Sequence, residues 1–350
     1  MGQRVQLGQL LLALAIGSAG GYAAFLLKLP LAWMIGAMAA TTLAASAGAP
    51  IAMPLSLRAV MVAVLGVMLG SSFSPAILGQ LAEWLVSLSA LVAYVAVAGA
   101  AGAVYFRRVA NYDPVTAYFA AMPGGLSEMF LIGSAMGGDG RIISLIHASR
   151  ILLVVLTLPF AFQLLLGYQP ATRPAAGLPI AEVPVEDLLL LAGCGLVGFF
   201  TARLLRIPAA GIVGPMVLSA GVHLAGLTKA APPLELIAAA QLVVGSAIGC
   251  RFAGSSLRFI RRTILIAAGA TAILLAVTLA FAVALNAVTG LPTAALVLAF
   301  APGGLAEMSL IALALALETA FVATHHIVRI FLIVVAAPLV FRLTRRRGGA

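Results

Sequence analysis

Two strings carry most of the chemistry in this chain: Pro123-Gly124-Gly125-Leu126-Ser127-Glu128-Met129 and Pro302-Gly303-Gly304-Leu305-Ala306-Glu307-Met308. Ionisable residues follow each at the same spacing, Asp139, His147 and Arg150 after the first, Glu318, His326 and Arg329 after the second. Proline removes a backbone donor and ends the helix before it, and paired glycines let backbone approach a ligand closely. A helix restarting at Leu126 or Leu305 turns free N–H groups toward the break, which makes a ready anion site. The carbonyls that end the preceding arm could hold a cation. Arginine adds a planar fork that suits a carboxylate or phosphate. The candidate substrate-binding residues are therefore Pro123, Gly124, Gly125, Arg150, Pro302, Gly303, Gly304 and Arg329. The plainer alternative is a loop or a kink in a packed helix.

Glu128 and Glu307 lie three residues past the breaks, where a carboxylate within a bilayer is costly unless protonated, paired or wet. They are candidate ion-coupling residues, as proton carriers or cation ligands. Asp139, Ile143, His147 and Arg150 fall on one helical face if the helix begins near Asp139, and Glu318, Val322, His326 and Arg329 repeat that stripe. Asp139, Glu318, His147 and His326 join the ion-coupling set. The rival reading pairs Glu128 with Arg150 as a structural ion pair. No catalytic residue, metal site or cofactor is expected. Cys194 and Cys250 sit in apolar runs as small core residues, and no phosphate-binding loop, nucleophile elbow or dinucleotide fingerprint occurs.

Elements able to position these residues must be membrane-embedded. Of 350 residues, 63% are hydrophobic and 9% charged, with mean hydropathy +1.17, against roughly 25% charged in soluble domains. Apolar segments fall near 8–27, 31–48, 57–76, 82–106, an interrupted pair at 113–137, and 141–167. The series repeats at 188–205, 209–226, 234–253, 263–286, 293–317 and 319–341. An offset of 179 residues maps Pro123 onto Pro302, His147 onto His326, Arg150 onto Arg329, Gly66 onto Gly245 and Gly70 onto Gly249. With one residue fewer it maps Lys28, Pro30 and Gly36 onto Arg206, Pro208 and Gly214. The chain thus divides into a first membrane repeat (1–167), a Pro-rich linker (168–186) and a second repeat (187–350). Trp33 and Trp84 read as interface anchors, and His223 as interfacial.

The net charge of +10 sits in short clusters between apolar segments, as the positive-inside rule distributes it, and no stretch is long enough for a nucleic-acid-binding domain. Arg107 and Arg108 follow the fourth segment of the first half, whereas Arg258, Arg261 and Arg262 precede its counterpart. The reversal predicts oppositely oriented halves. Each half then has five spans plus a re-entrant Pro-Gly-Gly hairpin, with both termini cytoplasmic. Arg4 and Arg345 to Arg347 fall inside, and Arg173 outside. Twelve full crossings in parallel repeats are the alternative. The expected fold is an all-α integral membrane protein. Its partners are the lipid bilayer and a small-molecule or ion substrate, a second copy of the chain is admitted, and nucleic acid is not a partner.

The doubled PGGL(S/A)EM string, each followed by His-x-x-Arg (His147 to Arg150, His326 to Arg329), resembles the AbrB family of bacterial membrane proteins over nearly the whole chain. That family also carries the labels ammonia monooxygenase and regulator of gene expression. A monooxygenase would need convergent His or carboxylate ligands, and four histidines, two of them related by the repeat, offer little for that, so no enzyme is expected. The layout is similar, at the level of fold, to transporters with inverted repeats and broken helices at the midplane. The reading is a secondary transporter moving a small anion with a coupling ion. A membrane regulator of gene expression is the alternative, and a monooxygenase comes behind both.

Overall fold

The computed structural model describes residues 5–167 and 177–347, and within them every regular element is a helix. The first half holds α1 (Leu7–Leu26), α2 (Ala32–Ser46), α3 (Leu55–Gly70), α4 (Leu81–Arg108), α5 (Pro114–Ala121), α6 (Leu126–Ala135) and α7 (Gly140–Leu166). The second holds α8 (Val185–Leu204), α9 (Ala210–Leu224), α10 (Leu234–Gly249), α11 (Leu257–Thr289), α12 (Thr293–Phe300), α13 (Leu305–Ala314) and α14 (Thr319–Arg347). Seven of these are long and apolar enough to cross a membrane: α1, α4, α7, α8, α10 with its 3-10 extension, α11 and α14. The other apolar helices are shorter; α2 and α9 have 15 residues each, against the roughly 20 that a bilayer core asks for.

Several boundaries differ from the sequence expectation, two of them at arginine clusters. The cluster Arg258, Arg261 and Arg262 lies inside the first turns of α11 rather than in a connection, because arginine is a good helix former whose long stem lets its charge reach water. Helix α14 continues to Arg347. Arg4, Arg173 and most of the linker (168–176) lie outside the described residues, as do the side chains of Arg345 to Arg347. The remaining linker forms a 3-10 turn at Ile180–Glu182.

The duplication extends to backbone conformation. Left-handed residues recur at matched positions: Lys28 with Arg206, Leu31 with Ala209, Gly48 with Gly226, Asn111 with Gly290, and Gly137 with Ala316. Such φ values are uncommon for residues with a Cβ; at Leu31 and Ala209 the residue immediately precedes α2 and α9 and sets the sharp entry into these helices.

The described helices belong to two compact units, each drawing on both halves of the sequence. One comprises Met1–Gly79, Val155–Ile260 and Ser309–Ala320; the other comprises Gln80–Val154, Arg261–Met308 and Phe321–Ala350. In the first, α1 packs on α2 and α2 on α10, matched by α8 on α9 and α9 on α3. Repeated glycines make these contacts. A methyl group on Gly66 would stand 2.5 Å from the Ile212 carbonyl oxygen, and one on Gly245 would stand 2.5 Å from that of Met34. Gly20 meets Gly36, and Gly198 meets Gly214, backbone to backbone. Close approach through small residues is how apolar helices associate where burial from water supplies no drive.

The second unit holds α4, α5, α6, the first half of α7, most of α11, α12, the start of α13 and nearly all of α14. Its packing centres on two clusters. One gathers Phe106, Ala117, Ala121, Ile146 and Ala270; the other gathers Phe119, Met122, Met129, Ile143, Ile333 and Phe341. Trp84 is 2% exposed and meets Phe321 edge-on at 5.4 Å, so it is a core residue and not an interface anchor. Its position near the start of α4 gave no hint of this, because burial depends on which neighbour covers that face.

Candidate functional site

Both Pro-Gly-Gly breaks lie in the second unit, and they share the turn of the backbone and the arginine contacts but not the helix caps or the histidine contacts. Asp113 caps α5, accepting from the Val115 and Thr116 N–H groups at 3.0 Å each, with Pro114 at the first helical position. Partial burial works to raise the Asp113 pKa, but hydrogen bonds from the Thr116 side chain and from the Thr116 and Val115 backbone outweigh it and hold the carboxyl below its ordinary value. The arm ends because Met122 precedes proline and is pushed to extended backbone, at φ −56° and ψ 129°. Ala301, before Pro302, repeats this at φ −50° and ψ 141°. Helices α6 and α13 restart three residues after the prolines, at Leu126 and Leu305.

The second glycine of each motif answers to space and not to φ. Gly125 has φ −67°, open to any residue, yet a Cβ there would collide with the Glu128 carboxylate, and one on Gly304 with that of Glu307. Each glutamate therefore folds back over the glycine that starts its own helix. Glu128 is half-buried and Glu307 is 6% exposed. A carboxylate in a helix's first turn is stabilised by the helix dipole.

The arginines reach the opposite side of each break. Arg150 donates from Nη1 to the Met122 carbonyl at 3.0 Å and from Nη2 to that of Gly124 at 3.2 Å. Arg329 donates from Nη1 to Phe300 and Ala301 at 3.1 and 2.6 Å, and from Nη2 to Gly303 at 3.0 Å. Both are 2% exposed, and the Nε of each has no hydrogen-bond partner. The rival reading's pairing of Arg150 with Glu128 gives way to these carbonyl bonds. The physical reason is the break itself, which leaves helix-end carbonyls without their usual N–H donors, and a buried guanidinium needs acceptors as much as they need a donor.

The histidines differ between halves. Arg329 Nη2 lies 3.0 Å from His326 Nδ1, and His326 Nε2 lies 2.9 Å from the Leu298 carbonyl. A guanidinium only donates and a carbonyl only accepts, so His326 is held neutral, with its proton on Nε2. His147 instead points Nδ1 at the Ile143 carbonyl, 2.9 Å away, and its Nε2 is unpartnered. Asp139 is exposed and caps α7 through Ile142 N–H at 3.0 Å. Glu318 is exposed and belongs to the first unit. The ionisable stripe is thus split: its acidic ends sit at helix starts, and its His-Arg ends reach the breaks.

Residues that the sequence did not single out also line this unit. His325 Nε2 lies 2.8 Å from Ser87 Oγ, and Tyr94 OH lies 3.1 Å from Thr278 Oγ1 with its ring 5.2 Å from that of Phe300. None has a counterpart under the repeat offset, so the repeat could not flag them. An ionisable residue within an apolar helix, such as His325, was the available signal. In the first unit His223 is buried in the last turn of α9, with Nε2 2.9 Å from the Ala230 carbonyl.

A duplicated, all-helical chain with apolar helices of bilayer length and two paired helix breaks is a membrane protein. The family described as "Transition state regulatory protein AbrB" matches residues 33–345, and the chain belongs to it. It is 28% identical over 360 residues to the uncharacterized protein YhjN of Bacillus subtilis (strain 168), covering 96% of this chain and 93% of that one. It is 24% identical over 317 residues to the Escherichia coli (strain K12) protein provisionally named as a regulator, AbrB, covering 90% of each.

Proposed function

We propose that this protein is a secondary transporter of the inner membrane that moves a small anionic substrate, together with a coupling ion, past its two Pro-Gly-Gly breaks. The observation that carries the reading is the pair of buried guanidiniums, one at each break, each with an Nε donor left unused. Non-helical backbone at membrane depth is tolerated only where protein or a water-filled cavity satisfies it. Buried positive charge beside the N-terminus of a restarting helix favours an anion over a neutral or cationic solute. In this reading the halves are inverted, with ten crossings and two re-entrant hairpins formed by α5–α6 and α12–α13, and both termini are cytoplasmic. Glu128 and Glu307 carry the coupling charge. The exposed Asp139 and Glu318 and the neutral His326 serve as helix cap, helix start and arginine partner. The bilayer and the substrate are the partners, and no residue is assigned to bond-breaking chemistry.

Uptake of a panel of small labelled carboxylates and phosphates into proteoliposomes tests this. Accumulation that falls at least tenfold in Arg150→Lys, while the variant stays folded, is the expected result. Uptake of cations alone, unchanged by Arg150→Lys, would return the arginines to a structural role. Absence of any uptake or binding would favour the regulatory role that the family description and the Escherichia coli relative's name print.

A further inference from the structure

Broken membrane helices that bind metal cations do so through unwound backbone carbonyls and helix C-terminal ends. Such carbonyls are present twice here, at the ends of α5 and α12, and both sets are already engaged. Met122 and Gly124 point theirs at Arg150, and Phe300, Ala301 and Gly303 point theirs at Arg329. The separations to the arginine are the same in the two halves: Gly124 to Arg150 and Gly303 to Arg329 both span 26 residues. Break and arginine are thus duplicated together, as one device. The convergence of three oxygens from residues 300 to 303 on one guanidinium is the arrangement a chain offers to a cation, not to an anion.

We propose that Arg150 and Arg329 are built-in cations, each filling on its break's carbonyls the position a sodium or potassium ion would otherwise take. The proposal deepens the site described above, and its consequence for coupling rests on the transport reading. With the carbonyls occupied by covalently held charge, the ion that accompanies the substrate is not a metal cation at either break. The breaks keep a fixed positive charge through every step of a cycle. The occupant is a guanidinium and not an ammonium because its planar fork reaches carbonyls on both sides of the proline at once.

The test uses full-length protein in detergent and reads the thermal midpoint. Wild type should show the same midpoint in sodium, potassium and choline chloride at equal ionic strength. Arg329→Ala and Arg150→Ala should lose several degrees, and millimolar methylguanidinium should return most of that loss while tetramethylammonium returns none. Should the alanine variants fail to fold, Arg329→Lys and Arg329→Met serve instead. Lysine should keep most of the stability and the near-isosteric methionine should not. A wild-type midpoint raised by sodium or potassium over choline would overturn the proposal, as would Arg329→Met matching wild type, or an alanine variant indifferent to every cation. If methylguanidinium rescues but proteoliposomes accumulate no anion, the built-in cations stand and the transport reading fails. A strict sodium requirement for uptake, with rescue intact, would remove only the consequence for coupling.

Discussion

The glycines that open α6 and α13 owe their identity to a side chain three residues on. Because an added Cβ at Gly304 overlaps the carboxylate of a buried Glu307, Gly304→Ala should cost more than Gly125→Ala, whose half-buried Glu128 has more room to swing aside. Overpacking of this kind costs about 1–3 kcal/mol. Most of the Gly304→Ala cost should vanish when Glu307→Ala is added, which a double-mutant cycle on thermal stability measures; additive losses would show that the carboxylate is not what the glycine accommodates. Asp113 gives a residue-scale pH dependence. Its carboxyl is held below the ordinary value by the hydrogen bonds it accepts, against the pull of burial. A depressed carboxyl contributes stability that is fully present above the unfolded pKa of about 3.9 and is lost as pH falls through the folded value. Asp113→Ala should therefore cost about 1 kcal/mol of capping at neutral pH, and the gap to wild type should close below about pH 4, as read from melting curves across pH.

At the scale of elements, the first unit is held by reciprocal glycine contacts. Gly66 on α3 lies against α9 and Gly245 on α10 against α2, each at 2.5 Å from a carbonyl oxygen for an added Cβ. A backbone oxygen cannot swing aside as a side chain can, so Gly66→Ala and Gly245→Ala should each destabilise by about 1–3 kcal/mol, and by similar amounts because the contacts are repeats of one another. Gly221→Ala on α9 is the control, since nothing lies within 4 Å of its added Cβ. Thermal midpoints of the three variants decide it; a loss at Gly221 equal to that at Gly66 would point to helix propensity or lipid contact instead of the crossing.

At the scale of the whole molecule, the proposed inversion of the halves sends their matched helix ends to opposite faces of the membrane. Asn111 follows α4 and Ala287 lies at the matching end of α11, and both are exposed. With Cys194 and Cys250 replaced by serine, Asn111→Cys and Ala287→Cys should react with an impermeant thiol reagent from opposite faces of the membrane. Labelling of both from one face would favour parallel repeats and remove the inverted arrangement proposed above.

Period, proline and glycine spacing, and the repeat itself are local signals, and they determined the elements. The apolar segments anticipated all of the helix series, and the paired strings marked where α5 and α12 break. They also marked the arginines and glutamates that attend the breaks. What a side chain touches is set by which faces meet, and that information is not local. Tertiary structure alone turned Arg150 from Glu128 to carbonyls 26 and 28 residues back, since helix-end carbonyls left open by a proline compete with a carboxylate for the same donors. It buried Trp84, gave the repeated glycines their crossings, and held His326 neutral against Arg329. It also drew each compact unit from both halves of the sequence: a duplicated helix buries its face against whatever complementary face is near in space, and the repeat supplies that face from the other half.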